Sequence, residues 1–197
     1  MKMFLLGVVF TLFPVAGMAD QLSLGQISQY LNGLTTAKAD FRQINDDGSI
    51  STGTLFMSRP GQMRFEYDPP NSALVIASAR AVRIIDRKSN QPGETYPLNR
   101  TPLSLILDRN INLARDRMVT GHAYDGTATI VTAQDPRRPE TGRIKMRFTD
   151  APVTLQDWVI EDASGGQTQI VLGELETGLT LPSSLFDPAL ELPRNDR

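Results

Sequence analysis

The spacing of apolar residues changes along the chain, and the first segment has a helical period. Leucine and isoleucine recur at intervals of three and four, which predicts an amphipathic helix. These apolar positions are Leu24, Ile27, Leu31 and Leu34. Ser23 and Gln26 occupy the positions of a capping box at the helix start, and Gly33 marks its end. The polar face is expected to carry Ser28, Gln29 and Asn32.

From residue 36 onward the period becomes two, which is typical of β-strands. Strands are predicted over 36–44, 50–59, 62–67, 73–78, 81–86, 119–124, 127–133, 143–148, 155–160 and 169–172. The clearest turn signals between them are Asp46–Ser49, Arg59-Pro60-Gly61 and Asp125-Gly126. Short connections of this kind join antiparallel neighbours. The pattern therefore predicts an antiparallel meander and excludes a βαβ array.

One segment between the strands predicts a second, short helix. Thr101 is a candidate N-cap, Pro102 suits the first helical position, and four aliphatic residues follow within the next five. A helix that is apolar nearly all round is either buried or covers an apolar surface. Two helices cannot cover both faces of so many strands. We therefore expect a mainly β (α+β) fold, a strongly curved antiparallel sheet or unclosed β-barrel of about ten to eleven strands with a helical lid.

The first 19 residues have the pattern of a secretory signal peptide. Lys2 supplies the positive charge, an apolar run follows over 3–15, and Gly17 and Ala19 place small residues at a cleavage site. The apolar run is short for a membrane span, although an uncleaved anchor is the alternative. Cleavage would leave residues 20–197 as one domain. The sequence therefore predicts an exported protein of the periplasm.

Composition excludes several kinds of chemistry. The chain has no cysteine, so it has no disulfide, no thiol nucleophile, no Cys-ligated metal and no lipid-modified N-terminal cysteine. The single histidine, His122, rules out a multi-His metal site. The chain has 20 basic and 22 acidic residues, and this near balance of charge argues against a nucleic-acid partner. We therefore expect neither a metal nor another cofactor.

A more specific pattern covers residues 53–70, which read GTLFMSRPGQMRFEYDPP. This segment resembles the central hairpin of the periplasmic outer-membrane lipoprotein carriers (LolA-type family), in which an Arg-Pro turn is followed by aromatic residues and a Pro-containing break. Further segments match in order and spacing: Phe41-Arg42-Gln43, Thr101-Pro102-Leu103, the Trp158 strand and Leu185-Phe186. The resemblance spans nearly all of the chain after residue 19. Met63 departs from it, because that position is often aromatic in the family.

The resemblance implies an unclosed β-barrel whose hollow apolar interior holds the acyl chains of lipoproteins. The carrier would be monomeric and non-enzymatic, and would ferry lipoproteins from an inner-membrane ABC-type complex to an outer-membrane receptor. The sheet side of the cavity would be lined by Leu55, Met57, Met63, Phe65 and Tyr67. The lid would contribute Leu24, Ile27, Leu31, Leu103, Ile106 and Leu107. Arg59, before the proline, would hydrogen-bond to the lid segments and hold the empty form closed.

Two other functions remain open at this point. A periplasmic lipid-binding or sensor module of the same fold would share the apolar interior, although a sensor usually carries an added domain. A lipid-acting hydrolase could use His122 as a general base. The ordinary interpretation of His122 is a partly buried strand residue, because no obvious nucleophile lies near it in the sequence.

Overall fold

The structure is a computed structural model that describes residues 21–89, 91, 93–115 and 117–191. The predicted signal peptide over residues 1–19 lies outside these ranges. Among the described residues, no helix has the length and apolar character needed to cross a membrane.

The described residues form one antiparallel sheet. Its strands are β1 (Thr36–Ile44), β2 (Ile50–Ser58), β3 (Gln62–Tyr67), β4 (Ala73–Ser78), β5 (Ala81–Asp86), β6 (Glu94–Pro97), β7 (Val119–Tyr124), β8 (Thr129–Gln134), β9 (Arg143–Asp150), β10 (Val153–Glu161), β11 (Gln167–Leu172) and β12 (Glu176–Thr177). The spatial order is β6-β5-β4-β3-β2-β1-β11-β10-β9-β8-β7, and β12 pairs with the start of β1. Because β6 and β7 are edges that do not pair, the sheet is unclosed. The predicted fold class is confirmed.

The sheet consists of two meanders that meet at one seam. Strands β1–β6 form the first wing and β7–β11 the second, each with neighbours that are consecutive in sequence. The seam joins β1 to β11 from the Phe41–Leu172 pair to the Ile44–Gln169 pair. The chain crosses from the far edge of one wing to the far edge of the other through residues 98–118.

Contacts between distant strands show that the sheet curves strongly. Phe65 on β3 and Trp158 on β10 are separated by four strand spacings, about 19 Å across a flat sheet. Their ring centroids are nevertheless 6.4 Å apart, in an edge-to-face arrangement. The two wings therefore curl toward each other, and their inward-facing residues meet in one core.

Two α-helices lie among the strands as the sequence predicted, with one difference in detail. Helix α1 (Leu24–Gly33) begins with the Ser23–Gln26 capping box. Helix α2 is shorter than expected, Ser104–Leu107, and Leu103 holds its N-cap position. The prediction of Thr101 as N-cap is wrong, because the Thr101 hydroxyl donates instead to the carbonyl of Leu98, the first residue of the preceding 3₁₀ turn.

The C-terminal residues cover part of the outer, convex face of the sheet. Two 3₁₀ turns, Ser183–Phe186 and Pro188–Leu190, form this C-terminal tail, and the first packs on β3 and β4. Phe186 is buried, with 2% of its surface exposed. The strands beneath carry a separate apolar cluster of Leu74, Ile76 and Ile85. The convex face of this wing is therefore a second, smaller packed layer.

Four charged side chains join the C-terminal tail to the sheet. Arg64, only 4% exposed, contacts Glu191 at 2.9 Å and Glu66 at 3.2 Å, and it donates to the Leu185 carbonyl. Arg87 bridges the same two carboxylates, at 2.7 Å from Glu66 and 3.0 Å from Glu191. Arg64 alternates with the inward-facing Met63 and Phe65 on β3, and its burial follows from the tail that covers it.

This charge network should make stability depend on pH in the acid range. Burial raises the pKa of Glu66, but hydrogen bonds from Arg87 and Arg64 outweigh burial and hold that pKa below its usual value. Such a carboxylate stabilises the fold fully above its unfolded pKa, near ~4.3, and progressively less as the pH falls through its folded pKa. We therefore expect Glu66→Gln to lower the urea midpoint at pH 7 and to change it little at pH 3.

The control for this experiment is Glu140→Gln, at an exposed loop position. It should leave the urea midpoint unchanged at both pH values. A Glu66→Gln deficit of equal size at pH 7 and pH 3 would show that the Glu66 carboxylate contributes no pH-dependent stability.

Candidate functional site

The concave side of the sheet encloses an apolar core that both helices cover. Ile27 and Leu31 of α1 are buried in it, as are Ile106 and Leu107 of α2. Residues facing inward from the strands complete the sheet side of the core: Ala37, Phe41, Leu55, Met57, Met63, Phe65, Ala77, Val82, Val131, Ala133, Ile144, Met146, Phe148, Leu155, Trp158 and Ile170. The core is thus the contact between lid and sheet.

The interior holds a small cavity between lid and sheet, which we call the lid cavity. It is lined by Leu31, Leu34, Leu55, Met57, Arg59, Met63, Ile106, Leu155, Trp158, Leu172 and Leu175. Its volume is about 10 Å³, scarcely enough for one water molecule. The resemblance implied a hollow interior, whereas the structure shows one that the lid side chains fill. An acyl chain can enter only if the helices move away from the sheet.

Helix α1 is attached to the second wing at its N-terminal end. The backbone N–H of Leu22 donates to the Thr129 hydroxyl on β8 at 2.8 Å. His122 Nε2, on β7, lies 2.7 Å from the Leu22 carbonyl, which can only accept, so Nε2 carries the proton. His122 therefore positions the start of the lid helix, as a strand residue with a structural partner.

The opposite end of α1 is attached to the first wing by Arg59, in the turn after β2. Its guanidinium donates to the Leu31 carbonyl in the last turn of α1 and to the Asp108 carbonyl just after α2. Both carbonyls lie at helix ends, where the helix itself supplies no donor. The neighbouring Gly61 N–H donates to the Leu107 carbonyl at 2.9 Å. The β2–β3 turn thus holds both lid helices.

Arg59 is a charged hydrogen-bond donor whose side chain is partly buried. Burial lowers the pKa of Arg59, and the Asp108 carboxylate opposes that shift. An arginine remains protonated in such a site, so the donors stay available. Its Nε is buried and has no hydrogen-bond partner among the described residues.

The polar face predicted for α1 does not face solvent throughout. Ser28 is buried, and its hydroxyl accepts from the Leu113 N–H at 3.0 Å. The Asn32 side chain pairs with both backbone groups of Ile111, at 2.8 Å and 2.9 Å. These two residues bind the segment after α2 to α1, so the lid is one hydrogen-bonded unit. The sequence gives no local sign of this, because the partner segment is about 80 residues away.

Replacing Asn32 should loosen this unit. Asn32→Leu leaves the N–H and C=O of the buried Ile111 without partners, which should lower the free energy of unfolding by about 1–3 kcal/mol. Hydrogen exchange at the Ile111 amide should accelerate. The control is Gln29→Leu, at an exposed position on the same helix, which we expect to change stability by less than ~0.5 kcal/mol. Equal effects of the two substitutions on both measurements would contradict the pairing.

The predicted site residues come together in one core, with different degrees of burial. Leu24 and Tyr67 are partly buried, and the other predicted lining and lid residues are buried. The lid cavity itself contacts only Leu31, Leu55, Met57, Arg59, Met63 and Ile106 of the predicted set. The Tyr67 hydroxyl lies 2.5 Å from Gln43 Oε1, and burial raises its pKa to about 12 despite that bond. Sequence reasoning named the Trp158 strand but did not place Trp158 in the cavity.

Fold and interior together define an unclosed β-barrel protein whose apolar core is sealed by a helical lid. Comparisons with known proteins agree with this class. The family model described as "Outer membrane lipoprotein carrier protein LolA" matches residues 32–189. Because that match covers most of the chain, the protein belongs to the LolA family.

Individual relatives are distant but span most of the chain. An outer-membrane lipoprotein carrier protein of Chromobacterium violaceum is 24% identical over 87% of this chain and 85% of its own. One of Dechloromonas aromatica is 27% identical, with coverage of 90% and 87%. A solved structure, a DUF1329 family protein from Desulfovibrio piger, shares the fold with a TM-score of 0.50 at 10% identity, over 85% of this chain and 95% of that one.

Proposed function

We propose that this protein is a periplasmic carrier that shelters the acyl chains of lipoproteins between its lid and its sheet. The observation that carries the proposal is the sealed apolar interior, whose lid is attached through a few polar contacts at its edges. Such a core can exchange its own lid side chains for a lipid tail. The family membership and the names of the relatives support the same conclusion.

The energetics favour a lid that competes with its cargo. Each buried methylene contributes about 0.8 kcal/mol, so a dozen from one acyl chain would supply roughly 10 kcal/mol. Three fully buried chains would exceed the limit of reversible binding, roughly 18–21 kcal/mol. Opening the lid exposes the apolar faces of α1 and α2, which offsets part of that gain. The closed state thereby keeps cargo release possible.

In the proposed pathway, an inner-membrane ABC-type complex loads the carrier and an outer-membrane receptor unloads it. Residues 1–19 would direct export and be cleaved. The lining would be formed by Leu55, Met57, Met63, Phe65 and Tyr67 from the sheet and by Leu24, Ile27, Leu31, Leu103, Ile106 and Leu107 from the lid. Arg59 would set the balance between closed and open lid.

A release assay tests this proposal. Spheroplasts that display an outer-membrane lipoprotein are incubated with the purified protein, and the medium is assayed for lipoprotein bound to it. We expect a stoichiometric complex in the medium. Met57→Glu, which puts a charge on the buried inner face of β2, should abolish release.

The matched control is Phe56→Glu on the outer face of the same strand. Its cross-strand neighbours are Lys38 and Arg64, so the new carboxylate has basic partners, and release should persist. Failure of the unmodified protein to release lipoprotein would overturn the proposed cargo. Native mass spectrometry of the protein from cells would then distinguish a carrier of free phospholipid, which is the related lipid-binding function.

A further inference from the structure

Two residues that line the lid cavity each carry a buried donor that the closed structure leaves unused. Trp158 is 1% exposed, and its indole Nε1 has no hydrogen-bond partner among the described residues. Its neighbours across β9 and β11 are Met146 and Ile170, and Phe65 packs against its ring. The side chains of these three neighbours carry no oxygen or nitrogen that could accept a hydrogen bond from the indole.

A second unused donor belongs to another residue that lines the same cavity. Arg59 Nε is also buried without a partner, although the two terminal nitrogens of that guanidinium hold the lid. Buried polar groups in folded proteins are nearly always paired, so two orphans around one cavity require an explanation. The cavity volume of about 10 Å³ is scarcely enough for one water molecule. We therefore look for an acceptor that enters the core when the lid opens.

We propose that Trp158 Nε1 donates a hydrogen bond to a carbonyl oxygen of the bound lipid, at the ester or amide that links an acyl chain to its head group. The inference rests on the proposed function and adds a specificity to it. A pure hydrocarbon would fill the opened core but leave both donors unpaired. An acyl ester or amide brings an acceptor oxygen together with its tail, so the site prefers acyl over alkyl-ether lipids.

The chain offers a favourable way to test this, because Trp158 is its only tryptophan. A proton–nitrogen correlation spectrum therefore contains one indole signal. Feeding 3-benzothienylalanine to a tryptophan auxotroph replaces this single side chain by a ring of nearly the same shape without the N–H. No other position is changed, so packing and hydrogen bonding can be separated.

The probes are 1,2-dipalmitoylglycerol and its ether analogue 1,2-di-O-hexadecylglycerol, which have the same chain length and differ in the carbonyl oxygens. We expect the ester to move the indole proton signal downfield and the ether to leave it near its unliganded position. The ester should bind about fivefold more tightly, which is the gain from one neutral hydrogen bond. In the benzothienyl protein the two lipids should bind equally, and the thermal midpoint should not fall.

Other results would contradict the assignment in distinguishable ways. Equal affinity of ester and ether for the unmodified protein, with equal effects on the indole signal, would remove the role of Trp158 and leave the carrier function intact. A preference for the ester that persists in the benzothienyl protein would place the donor elsewhere. Failure of both lipids to bind would overturn the proposed function itself.

Discussion

Arg59→Leu should trap lipoprotein on the carrier. The substitution removes the donors that hold the Leu31 carbonyl of α1 and the Asp108 carbonyl after α2 against the β2–β3 turn. The closed lid competes with the acyl chains for the same apolar surface. Weakening the closed state therefore strengthens net cargo binding, and transfer to the acceptor slows while loading continues.

The size of this effect follows from the kind of contact that is lost. A hydrogen bond from a charged donor contributes about 1.5–3 kcal/mol. The Asp108 contact is exposed to solvent, so we take the lower end of that range for the pair together. This corresponds to about a tenfold shift toward the open lid. Single-turnover transfer from the loaded carrier to receptor-containing vesicles measures it directly.

Two variants control for charge and for a general effect of leucine. Arg42→Leu removes an exposed arginine from the outer face of β1 and should transfer cargo at the normal rate. Arg59→Lys keeps the charge but lacks the planar fork that reaches two carbonyls, so we expect an intermediate rate. Transfer by Arg59→Leu at the unmodified rate would show that Arg59 does not control the lid.

Phe186→Ala should cause the largest loss of stability among single changes outside the interior. Phe186 is almost fully buried between the C-terminal tail and the outer face of β3 and β4. Truncation of a buried phenylalanine costs about 3–5 kcal/mol, because the apolar contacts are lost and a cavity remains. This is a large part of the stability of an ordinary domain, about 5–15 kcal/mol. Urea denaturation at pH 7 provides the measurement.

Leu190→Ala is the matched control in the same tail. Leu190 is 63% exposed, so its truncation should change the unfolding free energy by less than ~0.5 kcal/mol. Proteolysis in native buffer adds a second readout, because Phe186→Ala should expose the tail to cleavage while Leu190→Ala should not. Equal stability of the two variants would mean that the tail does not contribute to the folded core.

Local chemistry explains which elements the sequence predicted well. Strands β1–β5 and their turns were predicted almost to the residue, because the Asp-Gly and Pro-Gly signals and strict alternation act within a few positions. Strands β6 and β12 were missed. All four residues of β6 are exposed, so its sequence does not alternate between apolar and polar residues as a half-buried strand does. Strand β12 has only two residues, which is too short for a recognisable pattern.

The remaining differences arise from partners that are distant in sequence. Ser28 and Asn32 look like solvent-facing polar residues until Leu113 and Ile111 pack against them. Arg64 occupies an outward-facing position in the alternating pattern of β3. It is buried only because the C-terminal tail, which carries Glu191, covers it. In the same way, a single tryptophan such as Trp158 is typical of a core position. That its indole N–H has no hydrogen-bond partner can be recognised only in the folded structure.

The seam between β1 and β11 governs how the chain can fold. Phe41 and Leu172 are paired across it although they lie about 130 residues apart. Until β11 pairs with it, the β1 edge of the first wing is unpaired in addition to the β6 edge, and such an edge can recruit other chains. Closure of such a long loop is slow, so we expect the two wings to join late in folding. A chaperone that shields the β1 edge should then raise the yield of native protein.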